Sequence, residues 1–135
     1  MLISEVEQPL FWGYPLSDYT TFTITESAAD WNIDESNAFR KGYKKYKNNA
    51  RVVKGIEEIK AFVTSHDRNP PIKEYPPEYR IHAVKFAGNE RNALWGHLEG
   101  KKVGVVFTVI PASTPKDKNT LRFLFVGTHQ QLGWN

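Results

Sequence analysis

The period of the apolar positions changes twice along this chain. Residues 19–25 (YTTFTIT) alternate and are β-branched or aromatic throughout, which predicts a strand. Residues 26–36 then supply turn and capping residues, with Asp34 or Ser36 suited to accept the first free backbone N–H groups of a helix. From Asn37 the spacing becomes helical, because Phe39, Tyr43 and Tyr46 fall at steps of four and three. Between them stand Arg40, Lys41, Lys44, Lys45 and Lys47, so this helix, expected over 37–48, is strongly basic. The pair Asn48–Asn49 interrupts it, and a second helix follows in which Val52, Val53, Ile56, Ile59, Phe62 and Val63 share one side. The two are expected to form a hairpin. Pro70, Pro71, Pro76 and Pro77 make residues 67–77 a connecting loop.

Past Glu78 the period returns to two. Strands are predicted at 79–86, 92–99, 103–110 and 121–127, with turns at Gly88–Asn89, Gly100–Lys101 and residues 115–119. Connections this short favour antiparallel neighbours. The expected fold is therefore α+β: an N-terminal strand, a basic α-helical hairpin, then an antiparallel sheet of about four strands with the helices on one face. Its other face would be open as a working surface. Residues 1–18 mix acidic and aromatic side chains with Pro9, Gly13 and Pro15, and read as an irregular extension outside a domain spanning 19–135.

Composition narrows the classes. A chain of 135 residues has room for one core, and 40% hydrophobic residues exclude wholesale disorder. There is no apolar run of membrane-spanning length and no basic, long-apolar leader at the start, so a soluble, cytoplasmic protein without a membrane partner is expected. The absence of cysteine excludes disulfides, thiolate metal sites and cysteine nucleophiles. Charge is distributed unevenly: residues 1–39 carry seven carboxylates and no Lys or Arg, whereas all 18 basic side chains lie in 40–135. A body so basic suits a polyanion such as nucleic acid. The same composition is equally that of a solvated Lys-rich surface.

Strand parity supplies the candidate chemistry. If Ile81, Ala83, Leu94 and Leu98 face the helices, then Arg80, His82, Trp95, His97 and Glu99 share the open face, and Arg122 joins them because Leu121, Phe123 and Phe125 read as core. His129 follows at the strand end in Gly127–Thr128–His129. A lone strand histidine is more often satisfied by a backbone carbonyl than functional, but three converging on one basic, aromatic face shift that balance. His66, beside Ser65 and Asp67 at a helix end, reads as a cation near the last carbonyls. Three histidines with an open position suit zinc, yet their spacing matches no compact ligand motif, so no metal or cofactor is expected.

The strands YRIHAVK, LWGHLEGK and VGVVFTVI, the closing G-T-H triplet followed by Leu132, and the hairpin FRKGYKKYKNNARVVKGIEEIKAFV resemble the RelE superfamily of bacterial toxin endoribonucleases, particularly its histidine-rich YafQ-like branch. The resemblance spans about residues 19–135. It implies an mRNA interferase, often acting in the ribosomal A site, that is neutralised by a cognate antitoxin. It also implies that His82, His97 and His129 are the catalytic or substrate-orienting histidines. Where that branch has an acidic residue four positions after its second histidine, this chain has Lys101, with Glu99 two after. The aromatic that follows the last histidine corresponds loosely to Trp134.

Metal-free RNA cleavage needs a base for the ribose 2′-OH, a cation for the phosphorane and an acid for the 5′-oxygen, and imidazole with its ordinary pKa of about 6.5 suits both proton roles. In this reading His82 and His129 share the proton transfers and His97 orients or donates to phosphate. Arg80 or Arg122 holds the scissile phosphate, Trp95 or Trp134 stacks a base, and Glu99 and Lys101 complete the substrate site. Arg40, Lys41, Lys44, Lys45 and Lys47 would contact RNA backbone, the partners being mRNA, the ribosome and the antitoxin. The acidic extension would lie against basic surface and moderate RNA affinity, or merely cover a sheet edge. Two other readings stand beside this one: a ParE-like toxin that targets gyrase on the same fold, and a non-catalytic nucleic-acid or ribosome-binding module.

Overall fold

The computed structural model describes residues 10–11, 13–27, 30–84, 93–100, 102–128 and 130–132. In chain order these form β1 (Leu10–Phe11), β2 (Tyr14–Pro15), α1 (Ser17–Thr20), β3 (Phe22–Ser27), β4 (Trp31–Ser36), α2 (Asn37–Tyr43), α3 (Ala50–Thr64), β5 (His82–Ala83), β6 (Leu94–Glu99), β7 (Val103–Ile110) and β8 (Asn119–Thr128). One-turn 3-10 helices occupy Ile72–Glu74, Pro77–Tyr79 and Gln130–Leu132. Among the described residues β1 and β2 make a small hairpin, and the main sheet has six strands in the order β3-β4-β8-β7-β6-β5. The α+β class is as expected, and α2 and α3 follow one another in the chain as the two helices read from the sequence.

The sheet is wider than expected and is mixed, because β4 runs parallel to β8 in the register Ile33↔Leu121 and Asp34↔Arg122. Sequence patterning placed only turn and cap residues in this stretch, WNIDES. Its inward positions are Trp31, Ile33, Asp34 and Ser36, all buried, and two of the four are polar. Asp34 is tolerated there because Arg122 of β8 grips it at both oxygens, Nε to Oδ1 at 2.9 Å and Nη2 to Oδ2 at 3.1 Å. Ser36 serves two elements at once. Its hydroxyl donates to the Leu124 carbonyl at 2.6 Å and accepts the Phe39 N–H at 3.0 Å, capping α2.

Other boundaries moved for local reasons. The first strand begins at Phe22 rather than Tyr19, since Tyr19 sits in α1. α2 ends at Tyr43, and residues 44–48 turn through i→i−3 bonds such as Lys45 N–H to the Gly42 carbonyl. Asn49 then caps α3, its side-chain oxygen accepting from the Arg51 and Val52 N–H groups. Of the expected strand 79–86, the described part, which ends at residue 84, holds a strand at His82–Ala83, with one further bond from Val84 N–H to the Ala93 carbonyl. Pro76–Pro77 set a 3-10 turn there that holds Tyr79 and ends in Arg80 at φ 41°. The turn expected at Gly88–Asn89 lies outside the described residues.

Both faces of the sheet are covered over much of their length. On one side α2 and α3 bury Phe39, Val52, Ile56, Ile59 and Val63 against Leu94, Val105, Phe107, Leu121 and Phe123. On the other, Trp95, Val106, Leu124 and Phe125 pack with Tyr19 and Ala38, and Tyr14 and Phe22 lie against them. Tyr14 meets Phe125 and Tyr19 edge-on at ring separations of 6.3 Å. A β-bulge in β8 distributes these residues. Val106 faces Phe125 while Phe107 faces Phe123, so Leu124 is an extra residue, and Phe125 moves to the face opposite Phe123. The N-terminal segment thus seals the middle of the expected open face. No helix among the described residues is long and apolar enough to cross a membrane.

Candidate active site

The histidine pair lies where the covered face gives way to solvent at one end of the sheet. His82 of β5 faces Trp95 of β6, which makes His97, two residues further along β6, its diagonal neighbour. The two imidazole centroids are 5.6 Å apart. His82 is exposed and His97 partly buried. Each ring lies 3.1 Å through Nδ1 from a backbone carbonyl, His82 from Ala83 and His97 from Tyr79. A carbonyl only accepts, so Nδ1 carries the hydrogen in both rings, and in the neutral form the lone pair is at Nε2. Burial, together with the positive charges of Arg80 and His82, holds His97 below the ordinary imidazole value, while the carbonyls of Tyr79 and Arg80 oppose that shift.

Beside His97 is a cleft of about 370 Å³ between the first turns of α3 and the Tyr79–Arg80 turn. Arg51, Lys54 and Arg80 line it, with Glu58 and Glu78. The Tyr79 hydroxyl donates to the Glu58 carboxylate, which with burial raises the pKa of the phenol. Arg80 has the left-handed conformation at φ 41° and ψ 54°, which a side chain bearing a Cβ rarely adopts. Strain of this kind is concentrated at functional sites.

Several candidate residues are placed elsewhere or otherwise occupied. Trp95 is fully buried, its indole packed over the backbone of Gly104, where a Cβ would come within 2.3 Å of the ring. It is a core residue and no stacking platform for a base. Glu99 was expected beside His97, but Leu98 is an extra residue in β6, as His97 faces Gly104 and Glu99 faces Val103. The bulge turns Glu99 toward the helices, where its carboxylate accepts from the Asn49 side-chain amide at 2.9 Å. Arg122 is held by Asp34 and lies over the Phe22 ring at 3.7 Å. It faces Thr108, whereas His97 faces Gly104, a separation of roughly 13 Å along β7. Of the basic set near α2, Lys41 pairs with Asp18 at 2.6 Å and Arg40 donates to the Thr23 hydroxyl at 3.0 Å. Lys44, Lys45 and Lys47 are exposed, on the turn rather than on the helix. His66 stays at the α3 end, its Nδ1 2.7 Å from the Phe62 carbonyl.

Lys101, His129 and Trp134 lie outside the described residues. The approach to His129 is described. Thr128 ends β8 opposite Val103, one step from the row His97, Gly104 and Gly127. Gln131 accepts the Thr128 N–H at 2.8 Å and returns its own N–H to the Thr128 hydroxyl at 3.2 Å. A Cβ on Gly127 would come within 2.6 Å of the buried Phe125 ring, so the close approach of that ring favours glycine here.

Arg51 and Lys54 were not singled out from sequence. They lie one turn apart on either side of the buried Val52, and nothing local shows that this exposed side of α3 forms a cleft wall. Solved structures with a similar arrangement of strands and helices match this fold. The fold resembles that of YafQ. The crystal structure of YafQ from E. coli strain BL21(DE3) matches with a TM-score of 0.50 at 18% identity, covering 74% of this chain and 94% of YafQ. YafQ in the E. coli DinJ–YafQ toxin–antitoxin complex matches with a TM-score of 0.53 at 19% identity, covering 77% and 98%. A second DinJ–YafQ structure gives 0.51 at 20% identity. No family model and no curated protein sequence matches the chain. The likeness to YafQ is thus one of fold, carried by packing and topology more than by identical residues.

Proposed function

We propose that this protein is the toxin of a toxin–antitoxin pair and acts as a metal-independent endoribonuclease on mRNA. The observation that carries this reading is the His82–His97 pair, 5.6 Å apart, with His97 on the wall of a cleft also lined by Arg80, on a fold that resembles YafQ. In the reaction a base removes the ribose 2′-OH proton, the oxygen attacks the adjacent phosphorus, and the 5′-oxygen leaves with a proton from an acid. The lowered His97 leaves a neutral ring at pH 7 with its lone pair at Nε2, the state a base requires. In this proposal His97 takes the proton-accepting role in place of orienting or donating to phosphate. His82, and His129 beyond Thr128, supply the acid. Arg80 stabilises the charge that develops on the phosphorane. A cognate antitoxin and the ribosome complete the proposed partners.

Alanine substitution tests the assignment directly. H82A, H97A and H129A are each expected to lower cleavage of a labelled mRNA by about 10²-fold or more, the usual contribution of an acid or base. Retention of cleavage in all three would overturn the reading.

A further inference from the structure

We propose that Arg51 and Lys54 of α3, with Arg80, form a phosphate subsite that receives the RNA strand beside His97; the proposal deepens the ribonuclease reading above and rests on it for the identity of the ligand. Three observations carry it. The first is shape: the cleft of about 370 Å³ falls within the roughly 300–1,000 Å³ of small-ligand sites and has His97 on its wall. A chain whose phosphate sits there passes the imidazole.

The second is charge. Among the described residues Lys41, Lys60 and Arg122 are each neutralised by a carboxylate within 4 Å. Arg51, Lys54 and Arg80 have no such carboxylate among the described residues, although they stand on facing walls of one cleft. Glu58, which accepts the Tyr79 hydroxyl, and Glu78 also line the cleft, so three cations stand against two carboxylates there. An excess of cations in a concavity attracts an anion, and a guanidinium matches phosphate oxygens in its planar geometry.

The third is conformation. Arg80 is the described non-glycine residue with a positive φ, and the turn that strains it brings it to the wall opposite Arg51 and Lys54. A glycine would adopt the same backbone without strain. The side chain is therefore held at this position against its backbone preference, consistent with a guanidinium that binds something. Phosphate of a single-stranded RNA is the ligand because the cleft opens next to an imidazole pair suited to phosphodiester chemistry.

The test uses the full chain and a short single-stranded RNA carrying 2′-O-methyl groups, which binds but cannot be cut by 2′-OH attack. Binding is followed by fluorescence anisotropy across a salt series for wild type, R51Q/K54Q, and the charge-matched control K73Q/K116Q at exposed sites elsewhere. Each single-strand phosphate contact contributes about 0.7 to the slope of log affinity against log salt. R51Q/K54Q is expected to lower the slope by about 1.4 and to weaken binding at low salt, with the control unchanged. An equal slope in wild type and R51Q/K54Q, or an equal fall in the control, overturns the subsite. Glutamine preserves helix propensity at both exposed positions, and an unchanged melting temperature verifies folding. Cleavage of unmodified RNA by wild type is read separately. A slope that falls without cleavage keeps the subsite and removes the nuclease, whereas cleavage with an unchanged slope does the reverse. Absence of RNA binding by wild type overturns both.

Discussion

Replacing Trp95 by alanine separates the packed core from the substrate surface. The indole is fully buried between Val106 and the N-terminal cover, over Gly104. Truncating a buried aromatic of this size costs about 3–5 kcal/mol, from lost transfer energy and the cavity left behind. That is a large share of the roughly 5–15 kcal/mol by which a domain is stable. At about 4 °C per kcal/mol for a chain of this length, W95A is expected to melt about 12–20 °C below wild type. The assay is urea and thermal unfolding, together with RNA affinity measured below the variant's transition. Were Trp95 a stacking platform, its loss would remove about 1–3 kcal/mol of binding, roughly 5- to 150-fold, and leave stability nearly untouched. An unchanged midpoint with a large affinity loss would refute the buried placement and with it the account of the covered face.

Three further outcomes follow from other contacts. D34A removes the carboxylate that holds Arg122 and is expected to cost about 2–4 kcal/mol in urea unfolding, less than a fully enclosed pair because Arg122 is partly exposed, while cleavage per folded molecule stays at the wild-type rate. S36A leaves the Leu124 bulge carbonyl and the Phe39 N–H without their shared hydroxyl, and about 2–3 kcal/mol should be lost in the same assay. His97 is held below its unfolded value, so the unfolded chain binds more protons in the window between the two values and stability rises with pH there. Its contribution is complete above about pH 6.5 and is lost as pH falls through the folded value; H97Q should therefore flatten the stability profile on the acid side of pH 6.5, as measured by urea midpoints at successive pH values.

What was legible in the sequence is what repeats locally. The apolar period marked α3 and β7, and the order of histidines around glycine-bearing strands pointed to a YafQ-like architecture that the solved structures share. What was hidden depends on distant partners. β4 was missed because Asp34 is neutralised by Arg122 from a strand 88 residues away, and Ser36 is satisfied by a bulge carbonyl equally remote. Parity held from Trp95 to His97 and failed at Glu99, since one extra residue at Leu98 reverses the faces beyond it. The open face was overestimated because Tyr14 and Tyr19, on either side of the boundary drawn at residue 18, pack on Phe125 and its neighbours. The role of Arg51 and Lys54 emerges only when the Tyr79–Arg80 turn closes the cleft against them.

The central claim is that paired imidazoles cleave RNA without a metal. Its most direct test is incubation of labelled mRNA with purified protein in EDTA, with and without programmed ribosomes, beside H82A and H97A proteins that melt as wild type does. The account predicts cuts in EDTA that end in 2′,3′-cyclic phosphate and vanish in both variants. Intact mRNA in every reaction, with RNA or ribosome binding retained, would contradict it and identify the chain as a non-catalytic binding module.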